Sequence, residues 1–131
     1  MIIVLIHWRI KPTDEAESEF FRFWTETAKV EVKEGLAGEF LSAPLRQPPD
    51  APRFPFAVDD LSAGHSQGTC RHFVNVGIWK DWQSFYAQVG KFMNDDAPLK
   101  PFEAERRTRT VLDPQEFRIG SWALPSTGSC E

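Results

Sequence analysis

Phe73–Met93, FVNVGIWKDWQSFYAQVGKFM, decides the fold. In its first half Val74, Val76 and Ile78 point one way and Phe73, Asn75, Gly77 and Trp79 the other, the two-residue period of a β-strand. Asp81 then supplies a helix cap. Trp82, Phe85, Tyr86 (or Val89) and Phe92 recur at helical spacing as one apolar stripe. A second strand-then-helix unit opens the chain at Ile2–Val32. Two such units in one small chain predict a sheet with both helices packed on the same face. The opposite face is then left in need of a partner.

The N-terminal unit has the same grammar. Ile2, Val4, Ile6, Trp8 and Ile10 form a continuous apolar face, while Ile3, Leu5, His7 and Arg9 turn from apolar to polar along the strand. Lys11-Pro12-Thr13 breaks the strand and Thr13 is a good N-cap. Asp14, Glu15 and Glu17 put negative charge where the helix dipole favours it. Ala16, Phe20, Phe23, Trp24, Thr27 and Val30 give the apolar stripe. With Gly35 as the stop, the first helix is expected over Asp14–Glu34.

The chain of 131 residues is long enough for one domain. We read residues 1–125 as that domain, 46–70 as an insertion and 126–131 as a flexible tail. Leu36–Leu45 reads as a second, weaker strand. Arg46–Cys70, rich in Pro, Asp, Ser and Gly, sustains neither period, and a connection of this length is usually functional or mobile. Arg71–Trp79 is the third strand and Glu103–Leu112, EAERRTRTVL, the fourth. After the turn signal Asp113-Pro114, Phe117–Leu124 reads as an extra C-terminal strand.

A net charge of −4 argues against nucleic acid as a partner. No run approaches the ~20 apolar residues of a membrane span. The apolar start lacks the basic flank and length of a signal peptide. Two cysteines, Cys70 and Cys130, are too few for a disulfide framework, so a cytoplasmic location is expected. The 13% aromatic share, with eleven Phe and five Trp, suits a ring-filled core, pocket or interface.

Strand, helix, strand, strand, helix, strand is the α+β, ferredoxin-like βαββαβ order, an antiparallel sheet with two helices on one face. With the unit NVGIWKDWQSF and the late Arg-rich strand, the chain resembles the dimeric α/β-barrel superfamily, which holds antibiotic-biosynthesis monooxygenase-like and stress-responsive barrel proteins. The resemblance implies a homodimer in which two bare sheet faces close a barrel. A bare face carrying Leu5, Phe73 and Trp79 would be a patch that soluble monomers rarely tolerate.

If Val74, Val76 and Ile78 face the helices, Asn75 and Trp79 share the bare face with His7 and Arg9. His7, Arg9, Phe73, Asn75 and Trp79 are therefore the candidate ligand-binding residues, with His7, Asn75 and Trp79 the catalytic candidates. The resemblance implies that an Asn and a Trp at this spacing orient an aromatic substrate in cofactor-independent monooxygenases, where the deprotonated substrate itself reduces dioxygen without metal or flavin. An Asn on an inward strand that bonds a neighbour, and a Trp that packs, are the plainer readings. Haem-degrading relatives need an iron-binding His where this chain has Val89, which argues against that chemistry. His65, Cys70 and His72 together with His7 could supply zinc ligands, yet the spacing matches no ligand pattern, and no metal or other cofactor is expected. Arg106, Arg107 and Arg109 alternate, so each side of the fourth strand receives at least one, and an inward Arg could bind a carboxylate or enolate.

Three functions remain open. The first is a homodimeric barrel protein binding a small hydrophobic or aromatic molecule in the barrel interior. The second is a cofactor-independent monooxygenase or related enzyme acting on an aromatic or polyketide-like substrate. The third is an interaction module using the 46–70 insertion.

Overall fold

The structure is a computed structural model that describes residues 1–31, 33–45, 54–55, 61, 70–90, 99 and 102–124. Its elements are β1 (Ile2–Ile10), α1 (Asp14–Arg22), a π-helical turn (Phe23–Thr27), β2 (Leu36–Ser42), β3 (Arg71–Trp79), α2 (Trp82–Val89) and β4 (Glu103–Leu112). The strands form one four-stranded sheet in the order β2-β3-β1-β4. All three neighbouring pairs are antiparallel. The molecule is thus α+β, with an open sheet and two helices compatible with a ferredoxin-like fold. No helix among the described residues is long and apolar enough to cross a membrane. Of the 46–70 insertion only Phe54, Pro55, Leu61 and Cys70 are described, so its expected role, like the tail at 126–131, lies outside the described residues.

Both helices begin as their caps dictate. Thr13 Oγ1 accepts from the Ala16 amide at 3.1 Å, and Asp81 Oδ1 from the Ser84 amide at 2.8 Å. Each side chain satisfies one of the donors a helix start leaves open. Arg71, at the head of β3, reaches Asp14 at 2.9 Å and Glu17 at 3.3 Å and so ties the start of α1 to the sheet. Asp14 and Arg71 are solvent-accessible, and such surface pairs contribute little to stability.

The first helix is shorter than its periodicity predicts. Regular α-geometry stops at Arg22, and the Ala28 amide donates to the Phe23 carbonyl five residues back at 2.8 Å, closing a π turn. Thr25 Oγ1 donates to the carbonyls of Phe21 and Arg22, the back-bonding that bends helices. Gly35 ends not the helix but the loop before β2. Its φ of +83° is a left-handed conformation that favours glycine. A Cβ there would stand 2.5 Å from Ser84 Oγ.

Strand register corrects the expected faces. Ile2 pairs with Trp79, Ile6 with Asn75 and Trp8 with Phe73. The apolar even positions of β1 therefore share their face with Phe73, Asn75, Gly77 and Trp79, and this is the helix-covered face. Val74, Val76 and Ile78 lie on the bare face with Ile3, Leu5, His7 and Arg9. The physical reason is ring volume: Trp79, 1% exposed, packs edge-on against Phe85 of α2. Its indole also lies over Gly77, where a Cβ would approach Trp79 Nε1 to 2.8 Å. Phe73 packs on Phe20 and Phe21 of α1. Phe20, with no exposed surface, is the hub of this layer and also meets Trp8 and Phe102 at centroid distances of 4.9 and 5.7 Å.

The expected extra strand is absent among the described residues. After Leu112 the segment to Leu124 adopts no strand and leaves Phe117 59%, Ile119 89% and Trp122 77% exposed. Pro114, without an amide hydrogen, and Gly120, with high backbone entropy, both oppose a ladder here. The segment ends with Leu124 near Gly38 and Phe40 of β2, on the far side of the sheet from β4.

Candidate functional site

Sheet parity sets a row of chemistry on the helix-covered face. Leu41, Asn75, Ile6 and Arg109 are successive partners across β2, β3, β1 and β4. Glu39 sits two residues from Leu41 on the same side, opposite Gly77. The Asn75 amide, 4% exposed, is fixed at both ends. Trp24 Nε1, from the π turn, donates to Asn75 Oδ1 at 3.1 Å. Asn75 Nδ2 donates in turn to Glu39 Oε1 at 3.0 Å.

These groups surround a cavity of about 40 Å³, lined by Trp8, Trp24, Glu39, Asn75, Arg107 and Arg109 and by aliphatic and Phe side chains including Phe23, Val89 and Leu99. That volume holds a few waters and is far below the ~300–1,000 Å³ of a typical ligand pocket. Trp8 Nε1 is buried and, among the described residues, has no hydrogen-bond acceptor. An unmet buried donor costs on the order of 1–3 kcal/mol, so it marks a place where an acceptor is wanted.

Burial pushes the Glu39 carboxyl above its usual range, and the hydrogen bond from Asn75 offsets only part of that shift. Arg107 lies over the Trp8 ring, 5.1 Å from its centroid. It also pairs with Glu103 at 3.3 Å, with both side chains essentially inaccessible. Glu103 accepts from the Leu99 and Arg107 amides as well. Burial still raises the Glu103 carboxyl, against the pull of those donors and of Arg107 and Arg109. Arg107 and Arg109 thus share the cavity lining with Glu39, and Arg107 is paired with Glu103.

The bare face carries a different cluster. His7 Nε2 lies 2.9 Å from His72 Nδ1, and Cys70 Sγ lies 3.5 Å from His72 Nε2. Arg9, 4% exposed, donates to the Arg106 carbonyl at 3.1 Å and stands 3.7 Å from Glu105. Cys70 is a free thiol held above its usual pKa by burial and by Glu105, with Arg9 opposing. A protonated thiol is a poor nucleophile. His72 uses opposite ring nitrogens toward His7 and Cys70, so one ion cannot collect all three. Among the described residues no group of three or more His, Cys, Asp or Glu could hold a metal; His65 lies outside them.

The five sequence-derived candidates are therefore split. His7 and Arg9 are on the bare face, whereas Phe73, Asn75 and Trp79 are on the other, and of the five only Asn75 lines the cavity. Trp79 is packing against α2. Trp8, Trp24 and Glu39 were missed as site residues, although Glu39 carries a signal, a carboxylate in strand register with the apolar Leu41. No protein-family model matches the chain and no characterised protein matches it, so function has to be read from these side chains.

Proposed function

We propose that the chain is a homodimeric α/β-barrel-like protein that binds a small hydrophobic or aromatic molecule, with the binding site between sheet and helices rather than between two bare faces. The observation that carries this is the buried, acceptor-less Trp8 Nε1 beside a cavity whose wall also holds Asn75, Glu39, Arg107 and Arg109. Apolar lining with a few convergent polar groups is the usual composition of a ligand site. At about 40 Å³ the cavity admits a ring only when the aliphatic side chains Val89 and Leu99 give way. The homodimer is supported by the bare face, where no helix of the described residues covers Ile3, Leu5, Val74, Val76 and Ile78. Phe117, Ile119 and Trp122 in the segment after β4 are further exposed apolar side chains. Titration of intrinsic Trp fluorescence with a panel of hydroxy-aromatic compounds tests binding, since Trp8 and Trp24 both line the cavity. Saturable quenching that is lost in Asn75→Leu is the expected result, and no saturable response from any compound rejects the proposal. Sedimentation tests the dimer.

The second function, a cofactor-independent oxygenase, is favoured by one specific feature, the Asn75 amide held by Trp24 and turned toward a carboxyl at the cavity. In this geometry Trp24, not Trp79, is the indole that works with Asn75. Oxygen consumption with hydroxy-aromatic substrates, abolished in Asn75→Ala and retained in Trp79→Phe, is the expected pattern for that activity.

A further inference from the structure

We infer that Cys70 Sγ and His72 Nε2 form one half of a tetrahedral metal site of the zinc class, and that the same two atoms of a second copy complete it. The inference rests on the bare-face homodimer proposed above and names what joins the copies there. On binding, each Cys70 loses its S–H proton to solvent as a metal–sulfur bond forms, and each His72 gives its Nε2 lone pair. No electron is transferred, and two thiolates balance the two charges of the ion.

Cys70 Sγ and His72 Nε2 stand 3.5 Å apart. A tetrahedral ion about 2.3 Å from sulfur and about 2.0 Å from nitrogen holds those atoms about 3.5 Å apart, so the bite is already set. The other ring nitrogen of His72 lies 2.9 Å from His7 Nε2, the kind of outer contact that orients a metal-binding imidazole and fixes its tautomer. His7 is thus a positioning residue. Glu105 acts on the Cys70 thiol with negative charge, and Arg9, which opposes it, stands 3.7 Å from that carboxylate.

The pair also lies near the midline of the sheet. His72 of β3 is the strand partner of Arg9 of β1, and these are the two inner strands. A two-fold axis running along them sets a midline group against its own copy. Packed sheets stand about 10 Å apart, so an ion midway is about 5 Å from each, within reach of thiols and imidazoles from both. One chain offers two ligands, in keeping with the lack of any three-ligand group among the described residues. Two thiolates and two imidazoles in tetrahedral array select zinc over magnesium or calcium, which seek oxygen.

Cobalt(II) is a direct probe, because thiolate ligation gives it a near-ultraviolet charge-transfer band and tetrahedral geometry an intense visible one. Cys130→Ser leaves Cys70 as the only thiol of the chain. Reduced, chelator-treated Cys130→Ser protein titrated with cobalt(II) should develop both bands and saturate at one ion per two chains, and zinc should bleach them. Sedimentation should show the dimer strengthened in step with the bands. A further Cys70→Ser change should abolish the charge-transfer band. His7→Ala should keep the band positions but weaken cobalt affinity by about 10–100-fold. A dimer that forms with no cobalt bands overturns the metal site and leaves the homodimer intact. Saturation at one ion per chain overturns the sharing between copies, and bands that survive Cys70→Ser overturn the ligand assignment. A monomer without bands, with or without cobalt or zinc, overturns both site and dimer. Stoichiometry in the Cys130→Ser protein decides the matter even where a further variant fails to fold.

Discussion

Trp24 Nε1 donates to Asn75 Oδ1 at 3.1 Å, and that one bond decides which way the Asn75 amide faces. With its oxygen turned to the indole, only the NH₂ end is left for Glu39, at 3.0 Å. A flipped amide would oppose donor to donor and acceptor to acceptor. Asn75→Asp keeps the bond to Trp24 but sets a second carboxyl against Glu39. It should lose about 1–3 kcal/mol of stability, with the loss growing as pH rises. Urea unfolding at an acidic and a neutral pH measures this, and a pH-independent difference would contradict it.

Glu39 and Glu103 make stability fall on the alkaline side of the carboxylate range. Both titrate above their ordinary value of 4.5 because burial disfavours the anion. A raised folded-state pKa contributes stability that is complete below the unfolded value and lost as pH rises through the folded one. Asp81 runs the other way, lowered by the Ser84 amide, so its contribution is lost as pH falls through its folded value. Thermal melts across pH should therefore peak under mildly acidic conditions. Glu39→Gln should flatten the decline toward neutral pH without altering the acid limb.

Gly35 and Ser84 should behave as a coupled pair. Gly35→Ala forces a side chain into φ +83° and against Ser84 Oγ, for a loss of roughly 1–3 kcal/mol from backbone strain plus the clash. Ser84→Gly in the same chain removes the clash but not the strain. The double variant should thus lose less than the two single losses combined. Strict additivity in a double-mutant cycle would show that the two sites do not touch.

Phe20 and Trp122 are large rings with opposite roles. Phe20→Ala empties the centre of the aromatic layer and should lose about 3–5 kcal/mol in chemical denaturation. Trp122, 77% exposed, contributes little within one chain. Trp122→Ala should change unfolding at low concentration by within about 0.5 kcal/mol. In the proposed dimer it should nevertheless weaken self-association in sedimentation, and unchanged association would remove this segment from the proposed interface.

The elements were legible wherever cap and period agreed. The ends of β3 and β4 fall where the alternation and turn signals place them, and Asp81 and Thr13 cap as their chemistry requires. Which face of β3 is covered was not legible, because large apolar side chains stand on both parities of FVNVGIW. Only the pairing with β1 and the bulk of Phe73 and Trp79 choose between them. The end of the first helix was hidden because Thr27, within the π turn, and Val30, beyond it, continue the helical period. The cavity was half visible. Asn75 stood out as a polar residue in an apolar strand, whereas Trp8 and Trp24 looked like packing, and their indole N–H groups acquire meaning only once neighbours are in place.

The π turn at Phe23–Thr27 makes segment length, more than residue identity, the critical quantity in this part of the chain. Each hydrogen-bonded loop there spans one residue more than its α-helical counterpart, so the side chains before and after it are out of phase. Removing a single residue would restore regular winding and turn one flank relative to the other by about 100°. The indole of Trp24 would then swing off its acceptor while every polar group of β2 and β3 stayed where it was. Point changes on the outer surface of this turn should be tolerated, and one-residue deletions should silence the site in a chain that still folds.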